Sequence, residues 1–393
     1  MLLTAAHVLA GPDRHPLPDG AVLVRDGAIA CVGPREEVQR HARPGEPRLA
    51  FPAGTLLPGL IDAHVHLCFD GGTEPVATLR QQDDEALFTA MKERARQLVG
   101  AGVTTVRDLG DRGGLAVRLA ASVAAGETPG PRIVSATAPL TPPGGHCWFL
   151  GGEAAGTDEV RRLVRRNIEA GAQVIKVMAT GGRLTEGGAE SWQTQFGAGE
   201  LAAVVDEAHR AGLPVAAHAH GTDGIAAAVE AGVDTIEHCT WMTATGTDLR
   251  EDVLARIVER GIHVCPTVSP HWRTLPRIFG AERAEALFGA VRRMAEAGAR
   301  LVAGTDAGVQ RAGFDGLASS LAFYTHLGVP TDRVLGMATT EAADALGLGA
   351  ETGQLTAGYR ADLLVVDGDP LADLGALGSV EAVVAAGRHL SPS

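Results

Sequence analysis

The stretch GELAAVVDEAHRAGLPVAAHAH, residues 199–220, contains one complete unit of the fold that the sequence predicts. Its first part is rich in Ala and Glu and predicts a helix over 199–211, and Gly212 is typical of the position just after a helix. The apolar run 214–219 that follows predicts a strand. A helix that leads into a strand in this way favours a parallel sheet with helices on its outside.

The same unit recurs through the middle of the chain. Eight apolar runs predict strands, at 60–67, 103–109, 132–136, 173–179, 214–219, 234–238, 263–268 and 301–306. Helices are predicted between most of them, over 85–101, 159–170, 199–211, 222–231, 252–260 and 283–297. Eight strands separated by helices indicate an α/β fold, and a closed (β/α)8 TIM barrel over 58–351 more than an open sheet.

The two ends of the chain have a different character. Residues 1–57 and 352–393 predict short strands bounded by glycine, with a hairpin turn at Asp26-Gly27. Neither end holds enough strands to bury a face alone. We therefore expect the two ends to fold together as one accessory β domain beside the barrel.

Charge and composition exclude several classes of protein. The net charge is −13, from 34 basic and 47 acidic residues, whereas nucleic acids and anionic membranes require a basic face. No apolar run reaches the ~18 residues of a membrane-spanning helix, and the first residues lack the features of a signal peptide. The five cysteines stand singly, which fits reduced thiols. We therefore expect a cytoplasmic protein with neither a nucleic-acid nor a membrane partner.

The chain almost avoids lysine. Only two of its 34 basic residues are lysines, Lys92 on a solvated helical face and Lys176 in the middle of the apolar run 173–179. Burial favours the neutral amine of a lysine. A neutral amine reacts with carbon dioxide to form a carbamate, which resembles a carboxylate and can bridge two metal ions. Arginine cannot do this, which explains a lysine at this one position.

Polar residues stand at the ends of five predicted strands. His64 and His66 share a face of the first strand because strand side chains alternate. Taken alone, each residue has an ordinary interpretation, such as a helix cap for Asp306 or a buried, hydrogen-bonded histidine. In a barrel, however, the carboxyl ends of all strands meet at one mouth. The set that converges there predicts a metal site: His64, His66, Lys176, His218, His238 and Asp306.

These motifs resemble a known family. Residues 59–66, Lys176 within its apolar run, His218, His238 and Thr305-Asp306 are similar to the signature of the amidohydrolase superfamily, and the resemblance covers nearly the whole chain. Residues 176–182, together with 144–146, resemble the subgroup of imidazolonepropionase-like proteins and Xaa-Pro dipeptidases. The resemblance implies that the accessory domain, 1–57 plus 352–393, is a small β-sandwich.

The resemblance also implies a binuclear centre. His64, His66 and Asp306 would hold the more buried ion, and His218 and His238 the more exposed ion. Carboxylated Lys176 would bridge both ions together with a hydroxide. Zinc is the first candidate for such nitrogen and oxygen ligands. Asp306 would act as the acid/base, taking a proton from the hydroxide and passing it to the leaving amine.

Further residues are candidates for substrate binding. His220 shares a face with His218 nearer the mouth, and His146 lies in a glycine-rich loop where it is either a substrate contact or an exposed loop residue. Arg107 either binds a substrate anion or pairs with Asp108. Two tryptophans in loops after the third and seventh strands form either pocket walls or ordinary packing contacts, Trp148 and Trp272.

We therefore expect a hydrolase that cleaves an amide or peptide C–N bond of a small molecule, such as a dipeptide or an N-acyl amino acid. The alternative within the same fold is a cyclic-amide hydrolase, lactonase or esterase, which could work with one metal ion and would have little need of Lys176. A non-enzymatic scaffold would have lost ligands, and none is missing here. We also expect a homo-oligomer.

Overall fold

In the computed structural model, which describes residues 1–390, strands and helices alternate through the middle of the chain. The strands are β1 (Leu2–Ala10), β2 (His15–Arg25), β3 (Ala28–Pro34), β4 (Arg48–Pro58), β5 (Leu60–Val65), β6 (Val103–Asp108), β7 (Arg132–Ser135), β8 (Ile175–Met178), β9 (Val215–Gly221), β10 (Thr235–Met242), β11 (His263–Cys265), β12 (Arg300–Leu301), β13 (Leu363–Asp367), β14 (Val380–Ala385) and β15 (Arg388–Leu390). The helices are α1 (Arg35–His41), α2 (Pro75–Gln81), α3 (Asp84–Gly100), α4 (Leu115–Ala125), α5 (Gly156–Glu169), α6 (Ala198–Arg210), α7 (Thr222–Ala231), α8 (Glu251–Glu259), α9 (Leu275–Phe279), α10 (Ala281–Glu296), α11 (Leu317–His326), α12 (Thr331–Met337) and α13 (Thr340–Ala345).

Parallel strands make up the centre of this α/β fold. β12, β11, β10, β9 and β8 form one sheet in that order, and β5, β6 and β7 form a second. Single parallel bridges join the two sheets at both edges, Val65 with Ala307 and Leu140 with Val177. The carboxyl ends of these eight strands therefore open onto one common face, where an α/β fold carries its functional groups.

A strand overlaps each of the eight predicted runs, which confirms their number and order. The run 301–306 departs most from the prediction, because only Arg300–Leu301 is a regular strand. Ala303 donates its backbone N–H to Met337 rather than to a neighbouring strand. The backbone then leaves the extended region altogether at Asp306, where φ is 59°.

The six predicted helices are confirmed, with ends that differ by up to three residues. The structure adds α1, α2, α4, α9 and α11–α13 to the predicted set, together with short 3-10 turns such as Trp148–Leu150 and Trp272–Thr274. α4 lies between two glycines with left-handed backbones, Gly114 at φ 76° and Gly126 at φ 78°. Such glycines fix where a helix begins and ends.

Strands from both chain ends share one seven-stranded sheet, in the order β15-β14-β13-β4-β1-β2-β3. β4 pairs with β1 on one side and with β13 on the other. The predicted turn at Asp26-Gly27 is confirmed, since Arg25 pairs with Ala28 across it and both turn residues have positive φ. The last three residues of the predicted accessory domain, 391–393, lie outside the described part of the chain.

The accessory sheet packs directly on the central strands and helices. Leu57, Leu364 and Val383 belong to the same buried apolar cluster as residues of β5 and α3. The other face of the sheet has its own apolar cluster, drawn from both chain ends. Within residues 1–390, no helix combines the length and the apolar character that a membrane crossing requires.

Candidate active site

The six predicted metal ligands converge at the carboxyl ends of the central strands. The ring centroids of His64 and His66 are 5.3 Å apart, and those of His218 and His238 are 4.6 Å apart. Asp306 Oδ1 lies 3.4 Å from His64 Nε2 and 3.5 Å from His66 Nε2. Lys176 lines the same cavity as four of these residues. Four strands, β5, β8, β9 and β10, and the segment that follows β12 thus bring their polar groups to one point.

Each of the four histidines has one ring nitrogen fixed by an acceptor. His64 Nδ1 lies 2.8 Å from Glu237 Oε2, and His66 Nδ1 lies 3.1 Å from the carbonyl oxygen of Gly110. An acceptor on one nitrogen sets the tautomer, so the other nitrogen carries the lone pair that binds a metal. In both rings the free nitrogen is Nε2, the atom closest to Asp306.

The second pair of histidines follows the same rule. His218 Nε2 lies 3.0 Å from the carbonyl oxygen of Gly181. His238 Nδ1 lies 2.6 Å from Thr267 Oγ1. That hydroxyl donates its own hydrogen to Pro266 at 2.8 Å, so it accepts from His238. The free nitrogens are therefore Nδ1 of His218 and Nε2 of His238, whose rings are edge to face.

Burial keeps these rings neutral. Burial removes solvation from His66, and this lowers the pKa of the ring to about 3. The positive charge of the neighbouring Lys176 lowers the pKa in the same direction. Burial likewise lowers the pKa of His64 well below its usual value, and it does the same for His218 and His238. Neutral imidazole is the form that binds metal ions. The four rings are therefore ready to act as ligands at neutral pH.

Two polar atoms in the cluster have no hydrogen-bond partner among residues 1–390, Lys176 Nζ and Asp306 Oδ1. Burial lowers the pKa of Lys176 to about 8, and burial raises the pKa of Asp306 to about 7 against the opposing charge of Lys176. Buried polar atoms are normally paired, so two orphaned atoms among four neutral histidines fit a bound cation.

Two compact groups of ligand atoms share His238. One atom from each of His64, His238 and Asp306 lies within 4.8 Å of the other two, and the same is true of His218, His220 and His238. Nitrogen and oxygen donors of this kind suit zinc and related divalent ions. The residues present therefore fit one or two divalent cations.

Glu237 is a member of the cluster that the sequence did not single out. It is fully buried and contacts His64 as described above, and its other oxygen accepts from Arg107 at 2.8 Å. Strand alternation puts Glu237 and His238 on opposite faces. The backbone of His238, at φ 69°, departs from the strand, so both side chains reach His64. The available signal was an acidic residue directly before a predicted ligand.

Arg107 does not line the cavity, so the structure gives no support to a contact between its guanidinium and a substrate anion. Only 1% of the residue is exposed, and its guanidinium donates to Glu237, to the carbonyl of Ala63 and to Thr235. The alternative partner, Asp108, instead accepts from backbone N–H groups. Arg107 therefore lies beneath the site and holds Glu237 in place.

A cavity of about 1180 Å³ opens above the cluster. His146 and His220 line it, as do both predicted wall residues, Trp148 and Trp272. His146 is buried rather than exposed. Its ring lies so close to Gly182 that a side chain at position 182 would collide with it. The ring of His220 stacks on His238 with 4.3 Å between centroids. Both histidines are thus within the space available to a substrate.

Comparison with known proteins identifies the family. Residues 55–390 match the model of the amidohydrolase family. The chain belongs to the amidohydrolase family. It is therefore a hydrolase that acts on C–N bonds.

This amidohydrolase has relatives along its whole length. It is 30% identical to an ochratoxinase of Aspergillus niger, over 96% of this chain and 83% of that protein. It is 27% identical to an imidazolonepropionase of Symbiobacterium thermophilum, over 90% of this chain and 85% of that protein. The crystal structure of a Xaa-Pro dipeptidase with bound methionine superposes with a TM-score of 0.86 at 27% identity, covering 99% of both chains. These similarities confirm the predicted superfamily and agree with the predicted subgroup.

Proposed function

We propose that this amidohydrolase uses two divalent metal ions to cleave the amide or peptide C–N bond of a small substrate, a dipeptide or an N-acyl amino acid. The observation that carries the proposal is the cluster of four neutral histidines, Lys176 and Asp306, with two orphaned polar atoms facing one cavity. The similarity to a Xaa-Pro dipeptidase supports this class of substrate. We also interpret the two bridged parallel sheets as one closed (β/α)8 barrel.

The chain offers ligands for both ions. His64, His66 and Asp306 would hold one, His218 and His238 would hold the other, and a carbamate on Lys176 would bridge them. Zinc is the first candidate. When bound, such ions lower the pKa of water and polarise a carbonyl group.

Lys176 is suited to carry the carbamate. With its pKa lowered to about 8 by burial, roughly a tenth of the amine is neutral at pH 7. The lone pair of this amine forms a bond to the carbon of CO₂ while one C=O π bond opens and leaves its electron pair on oxygen, and one proton passes from the nitrogen to water. The product is an anion placed among neutral ligands, which compensates the charge of two cations better than an ammonium group does.

Asp306 is suited to move the proton. Burial raises its pKa to about 7, and a general acid/base works best when its pKa lies near the operating pH. Its carboxylate takes a proton from the attacking water and then donates a proton to the leaving nitrogen. Its Oδ1 lies 3.4 Å from His64 Nε2 and 3.5 Å from His66 Nε2, so the carboxylate stands at the cluster for both steps.

Arg183 is the better candidate for the role first given to Arg107. It lines the cavity mouth, and within residues 1–390 no carboxylate lies in ion-pair distance of it. Burial lowers the pKa of His220 to about 4, with smaller contributions from the positive charges of Lys176 and Arg183. The free carboxylate of a dipeptide or N-acyl amino acid would pair with this guanidinium.

A second function is favoured by the trio of His64, His238 and Asp306, which suffices for one ion. A mononuclear member would act on cyclic amides, lactones or other esters. Zinc-loaded protein should therefore be screened on dipeptides, N-acyl amino acids, cyclic amides and lactones, with metal content measured on the same samples. Two ions per chain and turnover of linear amides support the proposal. One ion with full activity on lactones alone refutes it in favour of the second function.

The matched control for this screen is Lys92→Ala. It removes the only other lysine of the chain, whose ammonium group packs on the ring of Phe88 far from the described cluster. Lys176→Ala should lose bound metal and activity, while Lys92→Ala should keep both. Equal behaviour of the two variants would contradict a special role for Lys176. The expected homo-oligomer stays a prediction, and light scattering on the same preparations tests it.

A further inference from the structure

The cavity contains a large share of the chain's aromatic residues. The chain has only 15 Trp, Tyr and Phe residues, and seven of them line this one cavity. The metal-ligand cluster accounts for none of them. An apolar arm of the cavity extends under α9, α10 and α11, and we define it by six lining residues: Trp272, Leu275, Phe279, Phe288, Val291 and Phe323.

The walls of the apolar arm are packed against each other. The ring centroids of Phe288 and Phe323 are 5.0 Å apart, those of Trp272 and Phe323 are 5.4 Å apart, and those of Trp272 and Phe288 are 6.1 Å apart. All three contacts are edge to face, the geometry that aromatic rings prefer. Because three separate elements supply these rings, the arm is a preformed pocket rather than one flexible loop.

The mouth of the apolar arm carries positive charge. The guanidinium of Arg183 lies 5.1 Å from the ring centroid of Phe279, and that of Arg283 lies 5.9 Å from it. Inside the arm, the indole N–H of Trp272 is buried and has no hydrogen-bond partner within residues 1–390. The arm therefore suits an apolar group that carries an acceptor atom and is joined to an anion.

A small polar dipeptide would not fill the apolar arm, so water would remain in contact with its apolar walls. Such contact between water and apolar surface is unfavourable in free energy. We propose that the substrate carries a bulky apolar group, the size of an aromatic ring or larger, on one side of the scissile amide, and that this group occupies the apolar arm. The inference rests on the proposed amide hydrolase function and names the substrate class within it: N-acyl amino acids and dipeptides with a large apolar group.

The test compares substrates that differ only in bulk. N-acetylglycine serves as the small reference, N-benzoylglycine enlarges the acyl side, and N-acetylphenylalanine enlarges the amine side. Since one methylene group in an apolar pocket changes kcat/KM by about 10–200-fold, at least one bulky substrate should exceed the reference by about 10-fold or more. Equal rates, or a preference for N-acetylglycine, would overturn the inference while leaving amide hydrolysis intact.

A variant that fills the arm makes the test specific. Val291→Phe should lower the ratio of kcat/KM for the preferred bulky substrate to that for N-acetylglycine by about 10-fold or more. Ile278→Ala is the matched control: this side chain is 59% exposed on α9, beside Phe279 and outside the cavity lining, so the ratio should not change. An unchanged ratio in a folded Val291→Phe protein would refute occupation of the arm.

Binding without turnover separates this inference from the proposed function. In Asp306→Asn, isothermal titration should show tighter binding of the bulky substrate than of N-acetylglycine. The double variant Asp306→Asn/Val291→Phe should lose this preference. If it still binds the bulky substrate more tightly than N-acetylglycine to the same degree, the inference is contradicted. Failure of the wild-type protein to hydrolyse the three amides and also the dipeptides of the substrate screen would instead refute the proposed function.

Discussion

Replacing Glu237 by glutamine should weaken metal binding although Glu237 is not one of the proposed ligands. The carboxylate accepts from His64 Nδ1 and from Arg107 Nη2, both at 2.8 Å, and it is fully buried. An amide has a single acceptor oxygen, so its N–H₂ group must face one of these two donors. Either His64 turns to the wrong tautomer or Arg107 keeps an unpaired buried charge.

Both consequences have a magnitude. Loss of the group that orients a metal-binding histidine lowers metal affinity by about 10–100-fold. Breaking a buried ion pair by removing one partner costs about 3–5 kcal/mol of folding free energy. We therefore expect Glu237→Gln to bind zinc about 10–100-fold more weakly in a chelator competition at pH 7. The metal-free variant should also unfold at lower urea concentration.

The matched control is Glu351→Gln. Glu351 pairs with Arg132 at 2.6 Å, but its side chain is 55% exposed, and pairs of this kind contribute only about 0–1 kcal/mol. Zinc affinity should not change in this variant. Wild-type zinc affinity in a folded Glu237→Gln protein would refute the reasoning that Glu237 sets the state of His64.

Four substitutions at three residues and one truncation test the remaining roles. Lys176→Arg should abolish activity because guanidinium cannot form a carbamate, whereas short carboxylic acids should partly restore Lys176→Ala; normal turnover of the arginine variant would contradict this. Asp306→Asn should reduce kcat about 10²–10⁴-fold, and more for an amide than for an ester; unchanged amide turnover with full metal content would exclude Asp306 as the acid/base. Arg183→Gln should raise KM for N-acyl amino acids but not for their neutral methyl amides, and equal changes would count against carboxylate binding. A chain that ends at Gly349 should be insoluble or strongly destabilised, since it lacks β13, one of the two strands that pair with β4; a stable and active product would contradict the shared sheet.

The ligand set was accessible from the sequence because its geometry is simple. His64 and His66 alternate on one strand, and parallel strands end at one face, so spacing alone was enough to bring them together. Lys176 was recognisable because it interrupts an apolar strand in a chain with two lysines. In the structure His66 and Lys176 line one cavity, and His64 lies buried beside His66 with 5.3 Å between ring centroids.

The parts that the sequence did not reveal depend on local backbone or on distant contacts. Glu237 was missed because the left-handed backbone of His238 breaks the alternation on which the prediction relied. The contact of Arg107 with Glu237 could not be read from the sequence, because the two residues are 130 positions apart in the chain. The apolar arm comes from helices whose sequences read as ordinary amphipathic segments, so only their packing reveals the pocket.

The position of β4 in the accessory sheet has a consequence for biosynthesis. β4 leads through Gly59 directly into β5, the strand of His64 and His66, yet one edge of β4 is covered only by β13, which begins at Leu363. At 5–20 residues per second, a ribosome needs about 15–60 s to make the intervening chain. During that time an apolar strand edge next to the first two ligands stays uncovered, and such edges invite aggregation. The nascent chain is therefore a natural client for chaperones, and a metal ion that arrives early meets an incomplete site.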